Sequence, residues 1–170
     1  MKKLPSFKAV ISLTLICIII ASALAVVNYF TSPIIERIEI ERENAALRRV
    51  LPTGESFDVM DISDLGFDER VTAVYRESNG MGYVFKVKVK GYSSNMIVLC
   101  GVGNSGNVTG ALCLSSSETL GYEKTYGNKF MDRTLSDVME VDTVSGATMT
   151  TKGYREAVKL ALETYEKISK

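Results

Sequence analysis

Histidine is absent from this 170-residue chain, and cysteine occurs only three times, as Cys17, Cys100 and Cys113. The absence of imidazole argues against histidine-dependent zinc, haem and general-base chemistry. Three scattered cysteines are too few to supply a four-thiolate iron–sulfur site. If the chain takes part in redox chemistry, an organic cofactor therefore has to carry it.

An excess of either charge is also missing. The chain has 20 lysines and arginines against 20 aspartates and glutamates. Nothing in this balance points to nucleic acid or another polyanion as a partner. A chain of 170 residues has room for one domain of ordinary size with an appendage.

The appendage is predicted at residues 1–30. Basic residues precede an uncharged, largely apolar run from Ala9 to Val27, followed by the aromatic pair Tyr29 and Phe30. At about 1.5 Å per residue, such a helix crosses a hydrocarbon core of roughly 30 Å. The basic flank predicts a cytoplasmic N-terminus, a single pass through the plasma or inner membrane and an extracytoplasmic C-terminal domain.

A cleaved signal peptide is the alternative for the same segment. Ala23-Leu24-Ala25 has the small-x-small pattern of a processing site. The apolar run is longer than the usual core of a signal peptide, which favours a retained anchor.

Residues 31–52 are predicted to form a helical stalk. Thr31 or Ser32 is placed to cap the helix, Pro33 suits its first turn and Pro52 ends it. The charged residues of this segment mix both signs, which is typical of a solvated helix face.

Residues 53–170 are predicted to form the globular domain, with an α+β fold in which helices flank an antiparallel meander sheet. Tyr83 to Val89 alternates between apolar residues and a row of lysines, which predicts a sheet with one buried and one solvated side. The segment from Phe57 to Ile62 is ambiguous between strand and loop. The predicted strands are Val71–Arg76, Tyr83–Val89, Met96–Val102 and Val108–Leu114.

Cys100 and Cys113 fall on the two arms of the last predicted hairpin. In an exported domain they can pair across the strands, and two buried thiols are equally compatible with the pattern. The sequence leaves this choice open.

A loop rich in hydroxyl groups leads into the last predicted helix. The run from Asp142 to Thr151 reads Asp-Thr-Val-Ser-Gly-Ala-Thr-Met-Thr-Thr, and helical spacing of apolar residues begins directly after it. Gly146 lets a ligand approach the main chain, and a helix N-terminus favours an anion such as phosphate. The alternative is an ordinary turn in which Thr150 or Thr151 is the helix N-cap.

The motif Asp142-x-x-Ser145-Gly146-Ala147-Thr148-x-Thr150 resembles the flavinylation motif of FMN-binding domains. These domains occur in the G subunit of Rnf complexes and the C subunit of sodium-pumping quinone reductases. There the threonine of Ser-Gly-Ala-Thr carries FMN through a phosphoester bond, made by a separate flavin transferase. The resemblance implies attachment at Thr148, with Thr150 as the nearest rival acceptor. The implied cofactor neighbours are Ser145, Gly146, Ala147, Thr150 and Thr151.

A second segment, Glu118-Thr119-Leu120-Gly121, lies where these families hold a Glu-Thr-Pro-Gly-Leu-Gly type sequence that lines the flavin site. Leu120 stands where proline is usual, and the second glycine is missing. The resemblance therefore implies Glu118, Thr119, Leu120 and Gly121 as flavin neighbours on a half-matched motif.

The function implied by the resemblance is that of a membrane-anchored FMN carrier in an Rnf-type complex. Such a complex couples electron flow between ferredoxin and NAD to sodium or proton translocation, so the chain works with other membrane subunits and is not a complete enzyme alone. No catalytic side chain and no metal site are predicted. The alternatives are the quinone-reductase C subunit or another extracytoplasmic flavin carrier and, from a different class, a membrane-tethered binding module without a cofactor.

Overall fold

The computed structural model describes residues 7–63, 65–93, 95–115, 121 and 124–169, in two compact units divided between Arg42 and Glu43. The second unit has the predicted α+β fold. Its sheet is accompanied by two short 3₁₀ helices, Tyr126–Phe130 and Val138–Glu140. The other elements are α1 (Phe7–Val50), β1 (Phe57–Met60), β2 (Val71–Glu77), β3 (Gly82–Lys90), β4 (Asn95–Gly103), β5 (Val108–Ser115) and α2 (Thr148–Ile168).

α1 is the one helix in the described part of the chain that is long and apolar enough to span a membrane. It runs without a break through the position where a separate stalk helix was predicted to begin. Thr31 does not cap a helix, because its hydroxyl donates to the carbonyl of Val27 at 2.8 Å in the helix interior. Pro33 likewise lies inside α1 rather than in a first turn.

The sheet is the predicted antiparallel meander, with its five strands in the order β1-β2-β3-β4-β5. The ambiguous segment contributes the short edge strand β1, which pairs with β2. The register between β3 and β4 places Phe85 opposite Cys100 and Val87 opposite Val98. These side chains point to the face of the sheet that α2 covers, and they form the larger hydrophobic core with Phe130, Tyr154 and Ala161.

The opposite face of the sheet is not solvated along its whole length, which corrects the prediction of one wet side. The end of α1 covers part of this face, where a second core cluster has formed. Lys86, predicted to be on the solvated side, pairs there with Glu43, and the hydroxyl of Tyr75 donates to the same carboxylate at 2.7 Å. The buried members of this cluster are Ala46, Leu47, Val50, Leu51, Tyr75, Val84 and Leu99.

Two glycines that face each other on neighbouring strands let the end of α1 pack closely against the sheet. Gly101 on β4 lies opposite Gly110 on β5. A Cβ on Gly101 would overlap the carbonyl oxygen of Val50, and one on Gly110 would come within 2.9 Å of the Val50 backbone. The hydroxyl of Thr109 also donates to the Val50 carbonyl at 2.6 Å. The helix therefore approaches the sheet closely because neither glycine has a side chain.

Cys100 and Cys113 are both thiols in the structure, which answers the question left open by the sequence. Cys100 lies opposite Ala111, and Cys113 lies opposite Val98, so the two are diagonal neighbours on adjacent strands. Diagonal residues in a sheet are about 7–8 Å apart, and their Cβ atoms, although somewhat closer, are still beyond the roughly 4 Å that a disulfide spans. Burial raises the pKa of the Cys100 thiol to about 12.

We expect Gly101→Ala to lower the free energy of unfolding by about 2 kcal/mol, because the added methyl group displaces the end of α1 from the sheet. Gly103→Ala on the same strand is the control. The atoms closest to its Cβ belong to side chains, the nearest at 3.2 Å. Pulse proteolysis in urea of the full chain in detergent measures both variants. Equal losses of unfolding free energy in the two variants would contradict the proposed role of Gly101 in the packing of α1 on the sheet.

We also expect Cys100 to resist alkylation in the folded chain at about pH 8, because it is fully buried and its thiol stays protonated. Iodoacetamide treatment with and without urea, followed by peptide mass mapping, tests this. Modification of Cys100 only in urea is the expected result. A Cys100–Cys113 disulfide in the unreduced digest would contradict the register of β4 and β5.

Candidate functional site

The hydroxyl-rich motif forms a turn that opens directly into α2, whose first residue is Thr148. Ala147 occupies the N-cap position and supplies no side-chain cap to the helix. Thr150 and Thr151 lie within the first turn of the helix, so the alternative in which one of them is the N-cap is wrong. The N-cap residue thus provides no side-chain cap to the first turn, and the N–H groups of a helix N-terminus favour an anion.

Gly146 is required by its backbone conformation. Its φ angle is +82°, in the left-handed region that residues with a Cβ rarely adopt. Among the described residues, no atom beyond the two chain neighbours lies within 4 Å of the position that a Cβ would take, so crowding by them is not the reason for glycine. The described part of the chain therefore leaves room for a ligand against the main chain of the turn.

The three threonines at the start of α2 differ sharply in exposure. Thr148 is exposed, whereas Thr150 and Thr151 are only 5% and 1% exposed. Ser145 and Gly146 are exposed as well, and Ala147 is buried at 6%. The surface of the motif available to a ligand or an enzyme therefore includes Ser145, Gly146 and Thr148, together with the exposed Asp142 and Met149.

Val144 joins the start of the turn to the helix. Its N–H donates to the hydroxyl of Thr151 at 3.2 Å, and its carbonyl accepts the N–H of Ala147 at 3.0 Å. The hydroxyl of Thr148 also points to the Val144 carbonyl, at the long distance of 3.5 Å. Val144 thus connects the buried hydroxyl of Thr151 with the exposed hydroxyl of Thr148.

Two side chains that the sequence did not single out hold the segment before the turn. Arg155 donates to the carbonyls of Met139 and Val141, at 3.1 and 3.2 Å. Tyr126 donates its hydroxyl to the carbonyl of Asp142 at 2.8 Å. Arg155 is a charged residue on α2, and only the folded position of the upstream segment shows its role.

The pKa of Tyr126 lies above its ordinary value, mainly because the phenol is buried. The nearby charge of Arg155 lowers this pKa, and that of Asp142 raises it. The phenol therefore stays protonated at neutral pH and remains a donor. The side chain of Asp142 is exposed, and its hydrogen bond to Tyr126 uses the main-chain carbonyl rather than the carboxylate. The carboxylate of Asp142 therefore faces solvent just before the turn.

The second predicted site segment falls largely outside the described residues. Glu118, Thr119 and Leu120 are among the residues that the structure does not describe. Gly121 is described, and its φ angle of +69° again requires a left-handed backbone. Its assignment as a flavin neighbour stays a prediction.

A groove of about 470 Å³ lies at the other end of α2, beside Tyr165 and the β4–β5 turn. In α2, Tyr165 of the groove follows Thr148 by 17 residues, which puts roughly 25 Å between them. The hydroxyl of Tyr165 is already bonded to the carbonyl of Asn104, at 2.9 Å. The groove is therefore a feature separate from the motif.

The comparisons with known proteins agree with the motif. Residues 91–163 match the FMN-binding domain family, which confirms the resemblance noted in the sequence. The chain is 26% identical to the G subunit of the sodium-translocating ferredoxin:NAD⁺ oxidoreductase complex of Acetobacterium woodii, over 96% of this chain and 93% of that protein. It is 24% identical to the G subunit of the proton-translocating ferredoxin:NAD⁺ oxidoreductase complex of Clostridium ljungdahlii, over 89% and 87%. It is 26% identical to the G subunit of an ion-translocating oxidoreductase complex of Shewanella piezotolerans, over 88% and 84%.

We expect Tyr126→Phe to speed amide hydrogen exchange in residues 138–147 about fivefold, because one hydrogen bond to the segment is lost. Tyr165→Phe is the matched control, since it removes a similar hydroxyl-to-carbonyl bond at the other end of α2. It should speed exchange in the β4–β5 turn instead. Faster exchange in residues 138–147 of both variants, or of neither, would contradict the assigned role of Tyr126.

Proposed function

Since residues 91–163 match the FMN-binding domain family and the chain is similar to G subunits along most of its length, we propose that it is the FMN-carrying G subunit of an Rnf-type complex. In this role it is a membrane-anchored electron carrier, with FMN attached through the hydroxyl of Thr148. It serves a complex that couples ferredoxin:NAD electron transfer to the translocation of sodium ions or protons.

The exposure of Thr148 is the observation that supports the attachment point. It is the exposed threonine of the motif, next to the turn at Gly146 and at the N-terminus of a helix whose N-cap residue, Ala147, makes no side-chain cap. Thr150, the rival acceptor, is 5% exposed, and Thr151 is 1% exposed with its hydroxyl already bonded. An enzyme that attaches a cofactor reaches Thr148 without unfolding the helix.

Attachment makes one bond from the Thr148 oxygen to phosphorus and breaks the bond from phosphorus to a leaving group. A phosphate monoester has no good leaving group, so the donor has to be activated, as the pyrophosphate of FAD is by its AMP half. The Thr148 hydroxyl loses its proton, AMP leaves, and no electron is transferred. A separate flavin transferase is the partner that catalyses this step.

The residues around Thr148 hold and orient the group rather than react with it. The N–H groups of the first turn of α2 and the turn at Gly146 would face its phosphate, which carries negative charge. Ser145, which is exposed, adds a hydrogen-bonding group. The family resemblance implies Glu118, Thr119, Leu120 and Gly121 as further flavin neighbours. Bound FMN supplies the redox chemistry, since its ring takes up and releases electrons.

The membrane role rests on α1, which is apolar enough to span a bilayer and lies near the N-terminus. In the proposed topology the N-terminus is cytoplasmic, α1 crosses once, and residues 53–170 are extracytoplasmic. Other membrane subunits of the complex then deliver and remove electrons. The named relatives include a sodium-translocating and a proton-translocating complex, so their names leave the coupling ion undecided for this chain.

We expect the intact mass of the membrane-extracted chain, co-produced with a flavin transferase, to exceed the apoprotein mass by one FMN less water. Thr148→Ala should abolish the increment, because the acceptor oxygen is gone. Thr150→Ala is the matched control. It removes a buried hydroxyl from the same helical turn and should keep the increment.

An increment that survives in Thr148→Ala and disappears in Thr150→Ala would move the bond to Thr150. No increment in wild type, in a host that flavinylates a positive control, would overturn the covalent carrier. The membrane-tethered binding module without cofactor would then be the better hypothesis. The quinone-reductase C subunit shares the covalent chemistry, and the partners that co-purify with the chain separate it from the Rnf assignment.

A further inference from the structure

We infer that Thr151 is a positioning residue for flavin attachment, an inference that rests on Thr148 being the acceptor. Its buried hydroxyl holds Val144, and the carbonyl of Val144 makes a long contact of 3.5 Å with the hydroxyl of Thr148. Thr151 therefore speeds attachment without touching the flavin. The family resemblance implies that Thr151 is a cofactor neighbour, whereas the inferred role is to position the acceptor residue.

The hydroxyl of Thr151 is buried and makes its hydrogen bonds within the protein. The side chain is 1% exposed. Its oxygen accepts the N–H of Val144 at 3.2 Å and donates to the carbonyl of Ala147 at 2.9 Å, with the Thr148 carbonyl at 3.3 Å. One hydroxyl thus ties the beginning of the turn to the beginning of the helix.

The connection continues from Val144 to the acceptor. The Val144 carbonyl accepts the N–H of Ala147 and lies 3.5 Å from the hydroxyl oxygen of Thr148. This long contact orients the Thr148 hydroxyl only weakly, so the oxygen stays available to an enzyme. The position of the Val144 carbonyl depends on the bond from the Val144 N–H to Thr151.

The turn needs such a constraint because its middle is exposed and contains glycine. Ser145 and Gly146 are exposed, and glycine has more backbone freedom than any other residue. Without Thr151, the turn is held at its start by fewer bonds and samples more conformations. Since catalysis depends on the alignment of reacting groups, a less defined acceptor lowers the rate of attachment.

Thr164 separates this role from that of an ordinary helix threonine. It is buried at 3% in the same helix, and its hydroxyl donates to the carbonyl of Leu160 at 2.7 Å. Thr151 makes the same bond to the preceding turn of the helix and in addition accepts an N–H from the loop. Replacement of either threonine by valine removes the shared bond, and only Thr151→Val removes the loop bond.

The test measures attachment kinetics of the full chain in detergent with purified flavin transferase and FAD, followed by covalent flavin fluorescence on denaturing gels. We expect Thr151→Val to lower kcat about tenfold, the equivalent of one hydrogen bond, and to leave KM unchanged. Thr151→Ser keeps the hydroxyl and should restore the wild-type rate. Thr164→Val should attach flavin at the wild-type rate.

Wild-type kinetics for Thr151→Val, or an equal loss in Thr164→Val, would overturn the inference and leave the carrier function intact. Failure of the wild-type chain to accept flavin would instead overturn the proposed function. If Thr151→Val does not fold, amide exchange of Val144 in the wild-type chain and in Thr151→Ser decides. Slow exchange in both supports the bond to the hydroxyl, whereas an unprotected Val144 amide in the wild-type chain would overturn the inference.

Discussion

Burial of β4 on both faces is the constraint on which the C-terminal unit depends. On one face Val98 and Cys100 pack under α2, and on the other Leu99 packs under the end of α1. A central strand buried on both sides reads as a continuous apolar run, as Met96 to Val102 does. This arrangement holds α2 against the sheet. The first turn of α2 contains Thr148, and the rest of the Ser-Gly-Ala-Thr motif directly precedes the helix.

Glycine makes these close approaches possible on both sides of the sheet. Gly101 and Gly110 admit the backbone of Val50, and Gly153 in α2 lies where a Cβ would overlap the carbonyl oxygen of Lys90. Glycine inside a helix costs roughly 1 kcal/mol relative to alanine. The packing of α2 on the end of β3 offsets this cost and fixes the helix two turns or less from Thr148.

The periodicity of apolar residues in the sequence predicted most of the fold and part of the site. Alternation in Tyr83 to Val89 predicted the inner face of β3, and the short connections predicted the meander. Periodicity could not show that Glu43 and the end of α1 return to cover Lys86, because that contact joins residues 43 positions apart. Arg155 escaped prediction for the same reason, since a charged residue on a helix looks solvated until its distant carbonyl partners are placed.

In the proposed function, exposure supports Thr148 as the attachment point over the neighbouring Thr150 and Thr151. The fold buries Thr150 and Thr151 and leaves Thr148 at the surface, beside the turn at Gly146. On the proposed function, a phosphoester to Thr148 keeps the cofactor in place whatever its non-covalent affinity for the site is. An exposed acceptor is accessible to a maturation enzyme, and a covalent bond then makes the exposed position suitable for a carrier that has to meet its electron-transfer partners.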